Sequence, residues 1–235
     1  MLGGVACLHM SNVPRPILVT ATTLAAVLWL TLAAQPSPSD AVPPWRGPGT
    51  QQPRLQVAVA GDSTTAQDHS WRAQLRGKYV FSGYAHSGFT SGQVLTYIRP
   101  ARAHVLVVKV GINDFRKGGT VRGVLRNVAL IVRKVGATSV LISAICPTDV
   151  TDHGTSHANL QALGAKLNYH LERLAADRGW EFVDPDAAFR TPANGYSAGY
   201  SDDGVHPTTS TYKLEAAVLS EKIEAIVPAL HPDRR

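Results

Sequence analysis

The sequence predicts an α/β fold: a three-layer α/β/α sandwich around a five-stranded parallel sheet. Apolar runs of strand length alternate with longer segments whose apolar residues recur at helical spacing. The strongest runs lack polar alternation, as expected of strands covered on both faces. Each of those runs also ends in a short polar segment, Gly61-Asp62-Ser63, Gly111-Ile112-Asn113-Asp114 or Cys146-Pro147-Thr148-Asp149. In open parallel sheets, the loops beyond the carboxyl ends of the strands are where reactive side chains gather.

The chain has 235 residues and a formal net charge of +6. An uncharged 18-residue stretch, Ile17 to Ala34, follows Arg15 and gives way to small residues and prolines. Residues 1–41 therefore read as a signal peptide or an N-terminal anchor, with Thr31-x-Ala33 or Ser39-x-Ala41 as cleavage motifs. Both the cleaved and the tethered form remain open, as does a start at Met1 or Met10. Residues 42–53 read as a proline-rich linker and 54–235 as the folded domain. The expected location is secreted or in the cell envelope, membrane-tethered if the segment is retained. Cleavage would remove Cys7 and leave Cys146 without a disulfide partner, a small buried side chain at the end of a strand.

Within 54–235 the elements follow in order. Leu55 to Ala60 is the first strand, and a helix is expected from Thr64 to Lys78. Tyr79 to Ser82 is a weaker strand. His104 to Val110 and Ser139 to Ile145 are apolar throughout except at His104, Lys109 and the serines. Between them Val121, Val124, Leu125, Val128, Ile131 and Val135 form one helical face. Leu160, Leu163, Leu167, Leu171 and Leu174 form another, closed by Gly179. Trp180 to Val183 is the last strand, and Thr208 to Ile226 the last helix.

Ser63 follows a strand and a glycine and opens a helix. Alone, Gly-Asp-Ser reads equally as a helix N-cap. Near the other end, Asp203-Gly204-Val205-His206-Pro207 places an acid three residues before a histidine. At that spacing a carboxylate can bond one imidazole nitrogen while the other faces a hydroxyl, the arrangement that activates a weak nucleophile.

Together these segments resemble the SGNH hydrolases, the GDSL esterase and lipase family. The resemblance rests on four ordered blocks: Gly61-Asp62-Ser63, Ser87-Gly88-Phe89-Thr90-Ser91, Gly111-Ile112-Asn113-Asp114 and Asp203-Gly204-Val205-His206-Pro207. It implies a flavodoxin-like SGNH hydrolase fold and a serine esterase or lipase acting through an acyl-enzyme. Ser63 would be the nucleophile, His206 the general base and then acid, and Asp203 the residue orienting His206. The oxyanion hole would consist of the N–H groups of Ser63 and Gly88 and the side-chain amide of Asn113. The second block departs from the family in having Ala85 and His86 where an asparagine is frequent, and Gly92 is a second glycine near Gly88. Neither an organic cofactor nor a metal is implied.

Three other patterns carry less. Gly195-Tyr196-Ser197-Ala198-Gly199 fits a nucleophile-elbow pattern but lacks the preceding strand. Asp149, Asp152, His153 and His157 have metal-ligand chemistry without a helical frame to converge them. The basic residues are scattered; their densest cluster, Arg116, Lys117, Arg122, Arg126, Arg133 and Lys134, lies mainly on the polar face of one helix without interleaved aromatics, which argues against nucleic acid. The expected substrate is a short-acyl or lipid carboxylic ester. A carbohydrate O-acetylesterase, an acyltransferase on cell-envelope glycans and a non-catalytic glycan-binding module are the alternatives.

Overall fold

A computed structural model describes residues 54–149 and 157–227, all within the unit Thr50–Arg235. The expected leader, the whole of the expected linker, and Asp152 and His153 lie outside the described residues. Among the described residues no helix is long and apolar enough to cross a membrane.

Five strands, β1 (Gln56–Gly61), β2 (Val80–Ala85), β3 (Val105–Lys109), β4 (Ser139–Ser143) and β5 (Glu181–Val183), form one parallel sheet in the order β2-β1-β3-β4-β5. Residue alternation along each strand divides the core. Ala58, Ala60, Leu106, Val108 and Ile142 face one layer, and Val57, Val59, Val105, Val107 and Leu141 face the other. All are almost fully buried, as strands covered on both sides must be.

The first layer holds α3 (Ser91–Tyr97), α4 (Ile112–Arg116), α5 (Val121–Val135) and α6 (His157–Arg178). Helix α5 buries Val124, Val128, Ile131 and Val135, is capped by Thr120 Oγ1 on Gly123 N at 3.1 Å, and ends at Gly136 in the left-handed region. The second layer holds α2 (Trp71–Gln74) and α7 (Thr209–Ala225), packed through Trp71, Tyr212, Ala216, Leu219 and Ile223.

The segment expected as one helix over Thr64 to Lys78 is instead two short helices, α1 (Ser63–Ala66) and α2. A continuous helix would bond the Thr65 carbonyl to the His69 N–H. That carbonyl instead accepts from Ser70 Oγ at 2.9 Å, while Trp71 Nε1 donates to Thr65 Oγ1 at 3.2 Å.

The crossover from β1 to β2 runs to one side of the sheet, and the return to β3 lies on the other side of β1. Loops after β1 and β3 therefore diverge and leave a crevice above the carboxyl ends. Register aligns those ends: Gly61 pairs with Ala85 on one side and Lys109 on the other.

Lys109 is an ionisable side chain inside this sheet, and it joins three elements. Its ammonium lies 2.9 Å from Glu215 Oε2 on α7 and 3.2 Å from Asp186 Oδ2 in the segment after β5, all three residues within 1% of full burial. Burial opposes the charge on Lys109, yet Asp186, Cys146 and Glu215 outweigh it and hold the amine well above its ordinary pKa. Burial and the adjacent Asp186 push the Glu215 carboxyl up, against the pull of Lys109. One ammonium thus lies between two buried carboxyls, and Asp186 Oδ2 also lies 3.7 Å from Arg190 Nη2. Breaking such a cluster by removing one partner costs about 3–5 kcal/mol, because the remaining charge stays buried. Lys109→Met should lower the unfolding free energy by about that amount in urea titration. A loss under about 1 kcal/mol would mean that the cluster no more than offsets its own desolvation.

Candidate active site

The position of Ser63 is set by the β1–α1 corner. Asp62 is the N-cap of α1: its Oδ1 accepts from Thr64 N at 3.1 Å and from Thr64 Oγ1 at 2.9 Å. Burial raises the Asp62 pKa, and the Thr64 bonds act against that. The capping reading of Gly-Asp-Ser is therefore correct for Asp62. Ser63 is the first helical residue, 7% exposed, with its hydroxyl free to face another segment.

That segment is the turn before α7. His206 Nε2 lies 2.9 Å from Ser63 Oγ, and His206 Nδ1 lies 2.7 Å from Asp203 Oδ2. The other carboxylate oxygen, Oδ1, accepts from the N–H groups of Val205 at 2.8 Å and His206 at 2.7 Å. Partial burial works against the charged form, but the ring and these two N–H groups prevail and lower the Asp203 pKa from 3.8 to about 2. Asp203 is thus a carboxylate at any ordinary pH, and as an acceptor it fixes a proton on Nδ1. Nε2 is left as the acceptor toward Ser63. Asp202 is exposed and holds no such position.

The turn is braced from three directions. Ser201 Oγ donates to the His206 carbonyl at 2.7 Å and accepts from Gly204 N at 2.9 Å. Asp149 N, beyond β4, donates to the Gly204 carbonyl at 2.6 Å, and Tyr196 Oη donates to the Val205 carbonyl at 3.0 Å. Asp149 Oδ2 in turn accepts from Tyr196 N at 3.0 Å. The Gly195–Gly199 segment is thus a prop for the histidine turn, with Ser197 N bonded to the Phe189 carbonyl.

Gly88 and Asn113 occupy adjoining loops after β2 and β3. Gly88 has φ +75, which favours glycine, and its carbonyl accepts from Lys117 Nζ at 2.8 Å. Asn113 sits in the first turn of α4, 5% exposed, and its Nδ2 donates to the Phe89 carbonyl at 3.1 Å. Gly92 lies inside α3. Asp114 clamps the two loops: its carboxylate accepts from Ser91 N and Ser91 Oγ, each at 2.7 Å, and Asn127 Nδ2 reaches the same Ser91 Oγ at 2.9 Å. Burial raises the Asp114 pKa, with the Ser91 bonds opposing it. Gly111, which turns the chain from β3 into α4, has φ +148, and a Cβ there would lie 2.6 Å from Leu167 Cδ2.

The structure thus brings Ser63, His206 and Asp203 into one hydrogen-bonded line and places Gly88 and Asn113 on neighbouring loops of the same sheet edge. Sequence reasoning missed the Lys109, Asp186 and Glu215 cluster below this edge. Its signals were a lysine inside an apolar strand and Glu215 on the apolar face of α7. Cys146 is buried as expected, but its Sγ faces Glu215 Oε1 at 3.7 Å. Cys146, Asp186 and Glu215 converge closely enough to surround a cation, and the cation set among them is the ammonium of Lys109.

Comparison with known proteins fits this geometry. The model of the GDSL-like Lipase/Acylhydrolase family matches residues 59–214, from the first strand to the last helix. Among solved structures, a GDSL-like lipase from Bacteroides thetaiotaomicron superposes with a TM-score of 0.62 at 21% identity, covering 74% of this chain and 91% of that one. A member of the lipolytic G-D-S-L family from Veillonella parvula gives 0.57 at 16% identity, over 71% and 97%. A carbohydrate acetylesterase family member from Sinorhizobium meliloti gives 0.55 at 17% identity, over 74% and 99%. No curated protein sequence matches the chain. A family match over most of the folded domain, on a five-stranded parallel sheet of the same architecture, makes the chain a member of the GDSL-like lipase/acylhydrolase family and a carboxylic-ester hydrolase.

Proposed function

We propose that the protein is an exported serine esterase that hydrolyses short-acyl carboxylic esters through an acyl-enzyme on Ser63. The observation that carries this reading is the continuous line Ser63 Oγ, His206 Nε2, His206 Nδ1, Asp203 Oδ2, with spacings of 2.9 and 2.7 Å. His206 Nε2 takes the hydroxyl proton as Ser63 Oγ attacks the ester carbonyl. The resulting imidazolium is stabilised by the ionised Asp203. Negative charge on the carbonyl oxygen is met by the N–H groups of Ser63 and Gly88 and by Asn113 Nδ2, which has a second N–H beside the one bonded to the Phe89 carbonyl. His206 then protonates the departing alkoxide. Water, deprotonated by the same nitrogen, releases the acid from Ser63. Export is supported by the uncharged stretch Ile17 to Ala34 ahead of the folded domain.

Ser63→Ala should lower kcat for p-nitrophenyl acetate by about 10⁶-fold. Asn113→Ala should cost about 10²- to 10³-fold in kcat with KM little changed, because its donor matters only once the oxyanion forms. Unchanged hydrolysis by Ser63→Ala would remove the nucleophile assignment.

Asp203 also makes stability depend on pH. Its folded pKa, about 2, lies below the ordinary 3.8, so its contribution is complete above about pH 4 and is lost as pH falls through about 2. The stability difference between wild type and Asp203→Asn should therefore shrink across pH 4 to 2. A constant difference would show that the carboxylate is not held by these bonds. In turnover, Asp203→Asn should cost between about 10² and about 10⁴ in kcat, the upper value being typical of a buried triad acid.

A further inference from the structure

We infer that the ester hydrolysed by this enzyme is carried on an anionic polysaccharide, which binds along an aromatic and basic strip at the β2 edge of the sheet. This rests on the esterase reading above.

The strip begins at the oxyanion loop. Gly88 stands between His86 and Phe89, whose rings lie 4.1 Å apart. Phe89 continues to Tyr97 at 5.7 Å, and Tyr97 stacks on Tyr84 at 5.6 Å with an interplanar angle of 21°. Tyr97 is 52% exposed. Tyr84 and Tyr97 then line an open cleft of about 310 Å³ together with Arg99 and Arg102. Both arginines are exposed, and among the described residues neither has a carboxylate partner. Ring contacts therefore run without a break from the loop beside the reacting atoms to a pair of uncompensated cations.

Charge along the chain points the same way. Between residues 69 and 148 the sequence holds twelve lysines and arginines and a single acid, Asp114, which is buried against Ser91; of the twelve, Arg76, Lys78 and Lys109 are paired with acids outside that stretch. Helix α5, packed beside α3, adds Arg122, Arg126 and Arg133 at exposed positions. A field of one sign beside a cleft raises the encounter rate of an oppositely charged substrate.

A sugar chain suits the strip better than a lipid surface does. The rings are flat and mostly tipped with hydroxyl or imidazole groups, which match the mixed apolar faces and hydroxyls of sugar rings. The exposed aliphatic residues that could enter a bilayer, Leu214 and Val218, lie on α7 in the other layer of the sandwich.

The test compares hydrolysis of O-acetylated alginate, O-acetylated xylan and p-nitrophenyl acetate, with affinity electrophoresis in alginate gels as a readout independent of turnover. In about 0.01 M salt the acidic polymer should be preferred over the neutral one by about tenfold in kcat/KM. That preference should vanish near 1 M salt, where the Debye length is about 3 Å. Arg99→Ala/Arg102→Ala should raise KM on the alginate ester and lower retention in the gel, while Lys213→Ala on α7 changes neither. Equal rates on both polymers together with no retention, or equal loss on both polymers in the double variant, would overturn the inference. So would binding to anionic phospholipid vesicles without retention by alginate. Hydrolysis of p-nitrophenyl acetate without polymer preference would fail this inference alone. Absence of any ester hydrolysis would fail the esterase reading, and the gel would still decide whether the strip holds the polymer.

Discussion

Ser63 and His206 are separated by 143 positions in the chain and meet at 2.9 Å, so the contact exists only if the sheet edge and the last turn are held in register. Parallel pairing sets one half of that register, aligning Gly61 with Ala85 and Lys109 so that three loops leave the sheet at one level. The Lys109 cluster sets the other half. It ties the strand beside β1 to α7, whose preceding turn carries His206. An apolar cluster of similar volume would give comparable stability, but it would not fix a helix at one angular position as an ammonium between two carboxyls does.

The turn around His206 follows the same logic at shorter range. Its backbone carbonyls at Gly204, Val205 and His206 each accept a hydrogen bond, from Asp149 N, Tyr196 Oη and Ser201 Oγ respectively. A partly exposed loop thereby acquires the rigidity of a core element. Asp203 illustrates the result. Its side chain is more than half exposed, yet three hydrogen bonds from the segment it precedes keep it ionised and aimed at Nδ1.

Much of this was legible in the sequence because it rests on local pattern. Strands β1, β3 and β4 are uninterrupted apolar runs, and α5 carries one apolar face and the caps that end it. Ser63, Asn113, Asp203 and His206 sit where strand ends and helix starts are marked by glycine, proline and capping residues. The remainder depended on partners distant in the chain. Nothing local says that Ser70 will take the Thr65 carbonyl and split the first helix, or that Tyr196 will reach Val205. Lys109 and Glu215 each look misplaced on their own elements and make sense only once the fold places them 2.9 Å apart. The short helices α3 and α4 were likewise hidden, since each is shorter than the window over which apolar periodicity can be read.

On the proposed mechanism, the hydrogen-bonded line makes one serine hydroxyl nucleophilic among many. The most direct measurement is reaction of the purified protein with a fluorophosphonate, followed by intact-mass and peptide mapping. One adduct per chain is expected, on the peptide containing Ser63, with its loss in His206→Ala despite an intact Ser63. Labelling that persists in His206→Ala, or an adduct on another residue such as Ser197, would contradict that mechanism.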